Sequence, residues 1–342
     1  MKAVVFEKHG GVDVLDYRDV PIPFPKEKEV VIRVEAASIN HLDIWVRQGL
    51  PGPSIPLPHI SGCDGIGEIV EIGKQVTALS KDQRVFIFPG LSCGQCESCR
   101  TGWDSLCPSY RIIGYQTQGT YAEYIAIPEE NAIAVPESLS GKEIGSIPLV
   151  FLTAYHMLFT RAKTRVGETV LVMAAGSGVG SAAIQLAKAA GTRVIAAAGS
   201  PVKLELAKKL GADLTIDYVR EDLKEGVRAF TDGNGADVII EHTGGENFTK
   251  CLHALGRNGR LVTCGSTSAP EVSMNVRLLF VKHGNILGSY MGARWEFLEV
   301  LKLFSRGLLK PVVDRTFPLK EAREAQTYIE SRKNVGKILL IP

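Results

Sequence analysis

Four cysteines fall within fifteen residues as Cys93-x2-Cys96-x2-Cys99-x7-Cys107. Thiolates this close can close a tetrahedral shell around Zn²⁺. Gly94 and Gly102 let the backbone fold back so that the sulfurs converge. An iron–sulfur cluster is the rival, because a Cys-x2-Cys-x2-Cys run with a later Cys107-Pro108 is like that of bacterial ferredoxins, whose last gap is three residues rather than seven. Unliganded surface thiols are the remaining alternative. Zinc is the preferred reading: one ion per chain, with four protein ligands and no open position for substrate, hence structural. Cys63, Cys251 and Cys264 are scattered, and an odd total of seven argues against a disulfide framework.

The second chemical feature is Ala175-Gly176-Ser177-Gly178-Val179-Gly180-Ser181, between an apolar strand, Thr169–Ala174, and a helix over Ala182–Ala190. Glycines here allow a tight turn and close approach to a pyrophosphate, whose charge the helix N-terminus favours. A structural turn is the plain alternative, but a strand before and a helix after are what dinucleotide binding requires. An NAD-selective site usually has a carboxylate at the end of the second strand. This chain reads Ala198-Gly199-Ser200-Pro201-Val202-Lys203 there. A small residue leaves room for a 2′-phosphate, Ser200 can donate to it and Lys203 can balance its charge, so NADP(H) is expected over NAD(H). Ser200 before Pro201 is also an ordinary helix cap.

These features must be held by elements of two kinds. Up to residue 149 short alternating runs dominate: Lys2–Lys8, Glu29–Ala37, Gly67–Ile72, Arg84–Phe88 and Thr120–Ile127, with Pro and Gly between them, as in a compact antiparallel domain. Residues 150–289 hold six short apolar runs separated mostly by helical-period segments, the pattern of a doubly wound parallel sheet in an α/β fold. The tail, 290–342, reads as two helices (Glu296–Leu308 and Leu319–Arg332) and a strand (Lys337–Ile341) that returns to complete the first domain.

With 39 Lys+Arg against 37 Asp+Glu over 342 residues, the net charge of +2 is too balanced for a nucleic-acid groove. Hydrophobic residues at 45% and charged residues at 22% describe a globular chain rather than a disordered one. No apolar run approaches the roughly 20 residues of a membrane span, and Met1–Gly11 lacks the apolar core of a signal peptide. A cytoplasmic protein with neither a nucleic-acid nor a membrane partner is expected.

Together these motifs resemble the zinc-type medium-chain dehydrogenase/reductase superfamily, which includes zinc alcohol dehydrogenases and zinc-free quinone oxidoreductases. The cysteine run matches the family's structural-zinc lobe, Gly62-Cys63-Asp64-Gly65-Ile66-Gly67-Glu68-Ile69-Val70 its Gly-His-Glu-x-x-Gly segment, and Ala175–Gly180 its cofactor turn. The resemblance implies a GroES-like catalytic domain around a Rossmann domain, an active site in the cleft between them, and a homodimer or homotetramer. It places Thr153 beside the nicotinamide, Cys264, Gly265 and Ser266 along one strand edge, Ser289 and Tyr290 in the nicotinamide pocket, and Lys337 near the pyrophosphate.

The departures from the family pattern bear on chemistry. The second, catalytic zinc of family alcohol dehydrogenases would use positions that here are Asn40, Cys63 and Leu149, with Asp64 alongside. Leucine cannot ligate and asparagine is a poor zinc ligand. Leu42 stands where a Ser or Thr relays the alcohol proton. Asn40 matches the quinone oxidoreductases, but Trp45 replaces the tyrosine five residues on and cannot exchange a proton. Asn40, His41 and Tyr290 are thus the candidate catalytic residues, with Asn40 and His41 as hydrogen-bond donors and His41 as a proton carrier. The expected activity is NAD(P)H-dependent reduction of an activated carbonyl, enone or quinone, a small-molecule partner. A zinc alcohol dehydrogenase with substituted ligands and a non-enzymatic NADPH-binding protein are the alternatives.

Overall fold

The computed structural model describes residues 1–49, 52 and 55–342. The chain divides into two units. One comprises Met1–Leu149, Ala293–Ser305 and Lys310–Pro342; the other comprises Val150–Gly292 and Arg306–Leu309. The first unit resumes at Ala293, so Tyr290, expected in it, belongs to the second.

In the first unit a ten-residue strand, β1 (Glu29–Ser38), is buried at seven of its positions and half-buried at two more, as a central strand should be. It pairs antiparallel with β2 (Asp64–Ile72), and this register sets Ser38 opposite Asp64. Its other neighbours are Tyr124–Pro128 and the last strand of the chain, Lys337–Ile341. Arg84–Ile87 and Ala132–Ala134 extend the sheet on one side and Val313–Pro318 on the other. The strand expected over Thr120–Ile127 begins only at Tyr124, because the amides of Thr120 and Tyr121 go instead to the carbonyls of Gly62 and Ser61. Helix Arg294–Ser305 seals this core with Phe297, which meets Phe86 edge-on at 5.6 Å and Phe88 at 6.0 Å.

A helix the sequence reading passed over, α1 (His41–Gln48), follows β1 directly. Its signal is local: Asn40 in an extended conformation as N-cap and Asp43 three residues on, whose Oδ2 accepts from the Asn40 N–H at 2.8 Å. A second unexpected helix, α2 (Pro148–Tyr155), runs on into a π-helical turn, His156–Arg161.

The second unit is built on six parallel strands: β3 (Thr169–Val172), β4 (Arg193–Ala198), β5 (Leu214–Asp217), β6 (Ala236–Glu241), β7 (Leu255–Thr263) and β8 (Asn285–Gly288). Their order in the sheet is β5-β4-β3-β6-β7-β8, with the reversal between β3 and β6. Every residue of β3 is buried, as is all of β4 beyond Arg193, because helices cover both faces of a doubly wound sheet. Helix α3 (Gly178–Ala189) begins inside the glycine run, four residues earlier than the sequence reading placed it, because Ser177 caps it. Helix α4 (Pro201–Lys209) follows β4. Among the described residues no helix is long and apolar enough to cross a membrane.

Candidate functional site

The four cysteines of the lobe converge. Their sulfurs all lie within 4.8 Å of one another, the Cys93–Cys99 separation being 3.9 Å and the Cys96–Cys99 separation 3.4 Å. Four thiolates about 2.3 Å from a central zinc stand ~3.8 Å apart, so this donor set fits the ion. Gly94 takes φ of +70°, the reversal that turns Cys93 and Cys96 toward each other. N–H groups of Gln95 and Cys96 pull the Cys93 thiol down to about 6, so one thiolate is available near neutral pH. Among the described residues this is the one group of three or more Cys, His, Asp or Glu side chains placed to hold a metal.

In the second unit β3 ends in a strained turn, with Ala174 held at φ +47°. Ser177 accepts from the Gly180 N–H at 2.9 Å and starts α3, leaving the helix's first amides for an anion. A Cβ on Gly180 would stand 2.4 Å from the Ala174 carbonyl oxygen, so the helix can lie this close to the strand only with glycine there. A Cβ on Gly176 would meet the Lys203 side chain at 2.4 Å; the lysine stem thus lies over the loop. Ser200 is the N-cap residue of α4 with Pro201 after it, and its hydroxyl makes no bond to the helix amides. Beside this loop the residues present fit a dinucleotide phosphate group.

Sequence reading missed the neighbour of that loop. His242, just past β6, is buried and its Nε2 lies 3.0 Å from the Ser177 hydroxyl. Burial pushes this imidazole down to about 4, so it is neutral. Beside it Glu241 is fully buried and its Oε1 accepts from the Thr243 and Gly244 amides. Nothing in the local pattern of strand residues distinguishes such a pair from an ordinary strand end.

The other expected contacts fall at the ends of strands or helices. Thr153 is buried in α2. Cys264, Gly265 and Ser266 follow β7, with burial pushing the Cys264 thiol up to about 12, so it stays protonated. Ser289 and Tyr290 follow β8; the Ser289 amide is tied to Thr263 O at 2.8 Å, while the Tyr290 side chain is 56% exposed.

Two expected site residues of the first unit have partners within it. Asn40, the expected hydrogen-bond donor, directs its Nδ2 to Asp64 Oδ1 at 2.8 Å, Ser38 O at 3.2 Å and Cys63 Sγ at 3.3 Å. Lys337, the expected neighbour of the pyrophosphate, is buried in the first unit, and its ammonium donates to Asn40 Oδ1 and Ile39 O, each at 2.5 Å. Asp64 is fully engaged too, its Oδ2 accepting the Leu149 N–H at 2.9 Å. Cys63 is fully buried, and burial with the Asp43 and Asp64 carboxyls pushes its thiol well above the usual range. Of Asn40, Cys63, Leu149 and Asp64, two, Cys63 and Asp64, have side chains of the usual zinc-ligand types. His41 opens α1, half-buried, its ring 6.3 Å from that of Trp45 one turn on.

Residues 26–137 match the alcohol dehydrogenase GroES-like domain and residues 178–306 the zinc-binding dehydrogenase domain. An NAD-dependent alcohol dehydrogenase of Sulfurisphaera tokodaii is 33% identical over 96% of both chains. A quinone oxidoreductase of Pseudomonas aeruginosa is 30% identical over 100% of this chain and 99% of its own. The crystal structure of an NAD-dependent alcohol dehydrogenase superposes with a TM-score of 0.97 at 45% identity, covering 100% of both chains. The chain therefore belongs to the zinc-type medium-chain dehydrogenase/reductase superfamily, with a GroES-like domain and a Rossmann-type parallel sheet. It is an oxidoreductase of the NAD(P)-dependent type.

Purified protein should carry one zinc per chain in the cysteine lobe, and Cys96→Ser should lose it together with thermal stability, because the metal staples the loop. Elemental analysis beside a melting curve checks this; a Cys96→Ser chain that still holds its zinc would contradict it.

Burial pushes the Asp43 carboxyl up from 3.8 to about 7, against hydrogen bonds from the Asn40 N–H and the Tyr121 hydroxyl that favour ionisation. As pH rises past 3.8 the unfolded chain releases this proton and the folded chain keeps it until about 7, so the contribution to stability is lost across that window. Urea unfolding followed from acid to neutral pH should show a shallower decline for Asp43→Asn than for wild type. Equal slopes would mean that the buried carboxyl is ionised throughout.

Proposed function

We propose that this chain is an NAD(P)H-dependent reductase of activated acceptors (enones, quinones or reactive aldehydes) whose zinc serves the cysteine lobe alone. The observation that carries this reading is the Lys337–Asn40–Asp64 hydrogen-bond network at the positions where family alcohol dehydrogenases hold a second zinc. A metal-assisted alcohol oxidation needs three protein ligands and an open position to lower the pKa of the bound alcohol. Leu149 contributes only its backbone N–H, and Asn40 is committed on both sides of its amide. A substrate that is already electron-poor needs less polarisation, which a hydrogen-bond donor can supply.

The bound nicotinamide would supply the hydride. The chain's own tasks are then binding, orientation and proton delivery. The Ser177–Gly180 loop and the start of α3 are suited to hold the pyrophosphate. The neutral His242 ring fixes the Ser177 hydroxyl that caps this helix. On this reading His41, at the head of α1, is the imidazole that hands a proton to the acceptor oxygen. Leu42 beside it cannot relay one.

A second reading, an NAD-dependent zinc alcohol dehydrogenase, is favoured by the names of the relatives at 33% and 45% identity. The two separate by substrate. On the first reading, NAD(P)H consumption with a panel of quinones, enones and aldehydes far exceeds oxidation of simple primary alcohols, and a chelator that spares the lobe zinc leaves it intact. His41→Ala should lower kcat on the order of 10²-fold while leaving dinucleotide Kd in place. Robust ethanol oxidation that requires Cys63 and a second zinc would establish the other reading.

For the cofactor we propose NADPH over NADH, because no carboxylate ends β4 and Lys203 lies over the phosphate loop. Lys203→Ala should weaken NADPH by about 1.5–3 kcal/mol, the value of one charge-assisted hydrogen bond, and NADH much less. Fluorescence titration measures both, and equal losses would remove Lys203 from 2′-phosphate recognition.

A further inference from the structure

Lys337 opens the last strand, β9 (Lys337–Ile341). The antiparallel register of β9 on β1 sets Leu340 opposite Ala37 and Leu339 opposite Ser38, and the Ile39 N–H continues the ladder to Ile338 O at 3.0 Å. One step further the ladder carries Lys337 to Asn40. There the lysine is 5% exposed, and among the described residues its ammonium has Ile39 O and Asn40 Oδ1 as direct acceptors. Burial pulls its proton affinity down, while the nearby carboxyls of Asp64 and Asp43 and the Cys63 thiol hold it up. These same groups are buried with it, and Asn40 is the piece they share. Asn40 receives Lys337 on its oxygen and gives both hydrogens toward Asp64, Cys63 and Ser38, while its backbone N–H is held by Asp43.

An amide has two faces of opposite polarity, so a cation on one side and carboxylates on the other admit one orientation only. Asn40 is also the N-cap of α1, whose first residue is His41. From this we propose that Lys337 is the resident cation of the site and a positioning residue: it locks Asn40, and through Asn40 the first turn of α1 and the His41 imidazole. The inference rests on the reading above that no second zinc occupies these positions. Replacing the ammonium by a methyl-ended chain frees the Asn40 oxygen, lets the amide turn over, and leaves Asp64 buried without its balancing charge.

The test compares wild type, Lys337→Met, Lys337→Arg and the double variant Lys337→Met/Asp64→Asn in the full chain. Three quantities are read: dinucleotide Kd, kcat against KM for an accepted enone or quinone, and the His41 ring resonances, assigned with His41→Ala. Positioning predicts that Lys337→Met lowers kcat on the order of 10²-fold, shifts the His41 resonances and leaves dinucleotide Kd unchanged. Lys337→Arg, which keeps the charge, should restore part of the His41 signal. If Lys337→Met folds poorly, the double variant, neutral on both sides, should melt higher than the single one and carry the same readouts. A dinucleotide Kd that weakens as much as kcat falls, or His41 resonances that stay at their wild-type positions, overturns the proposal. Should the wild type reduce none of the acceptors, the activity proposed above fails, while the His41 resonances and the dinucleotide Kd still decide the role of Lys337.

Discussion

A lysine ammonium withdrawn from water has to find oxygen atoms and negative charge inside the protein, and the first unit is arranged around that demand. The acceptors come from the end of β1, the carboxyl from the start of β2, and the lysine from the head of β9, three strands adjacent in one sheet. The sheet register is therefore also the register of the charge network: a slip of one residue would turn every side chain of β9 to the other face. Ser38 opposite Asp64, and Ile338 bonded to Ile39, are what place cation, amide and carboxylate in line. The first turn of α1 begins at this network, so the helix that carries His41 and Trp45 takes its direction from it.

The second unit answers a different constraint, the approach of a helix to a strand. Ala174 in a left-handed conformation and Gly180 against the Ala174 carbonyl bring α3 down onto the end of β3. Ser177 caps the helix and is itself held by a histidine that burial keeps neutral. A charged imidazole at that place would lose its solvation and compete for the anion the helix end attracts; a neutral one orients the hydroxyl without doing so.

Much of this was legible in the residues. The spacing of Cys93, Cys96, Cys99 and Cys107 announces converging sulfurs, because the ligands lie on one short loop and no distant element has to be positioned. The glycine run between an apolar strand and a helix is legible for the same reason, and six apolar runs with connections between them read as a parallel sheet. The roles of Asn40 and Lys337 were hidden, being set by strand pairing across nearly three hundred residues of sequence. A lone lysine before Ile-Leu-Leu-Ile reads as a strand-end charge, and only the pairing of β9 with β1 turns it inward. His242 was hidden too, since Ser177 lies on a different strand-to-helix connection.

The discontinuity of the first unit has a consequence for how the chain is made. Its sheet takes β1 and β2 from residues 29–72 and β9 from residues 337–341, so its charge network lacks a cation until residue 337 has been made. The second unit has its six strands between residues 169 and 288, so its sheet can form before residue 337 is made. A chain made that far carries a closed parallel sheet, and an antiparallel sheet whose edge at β1 waits for its last partner. That waiting edge, rather than any weakness in the mature protein, is where another strand could intrude.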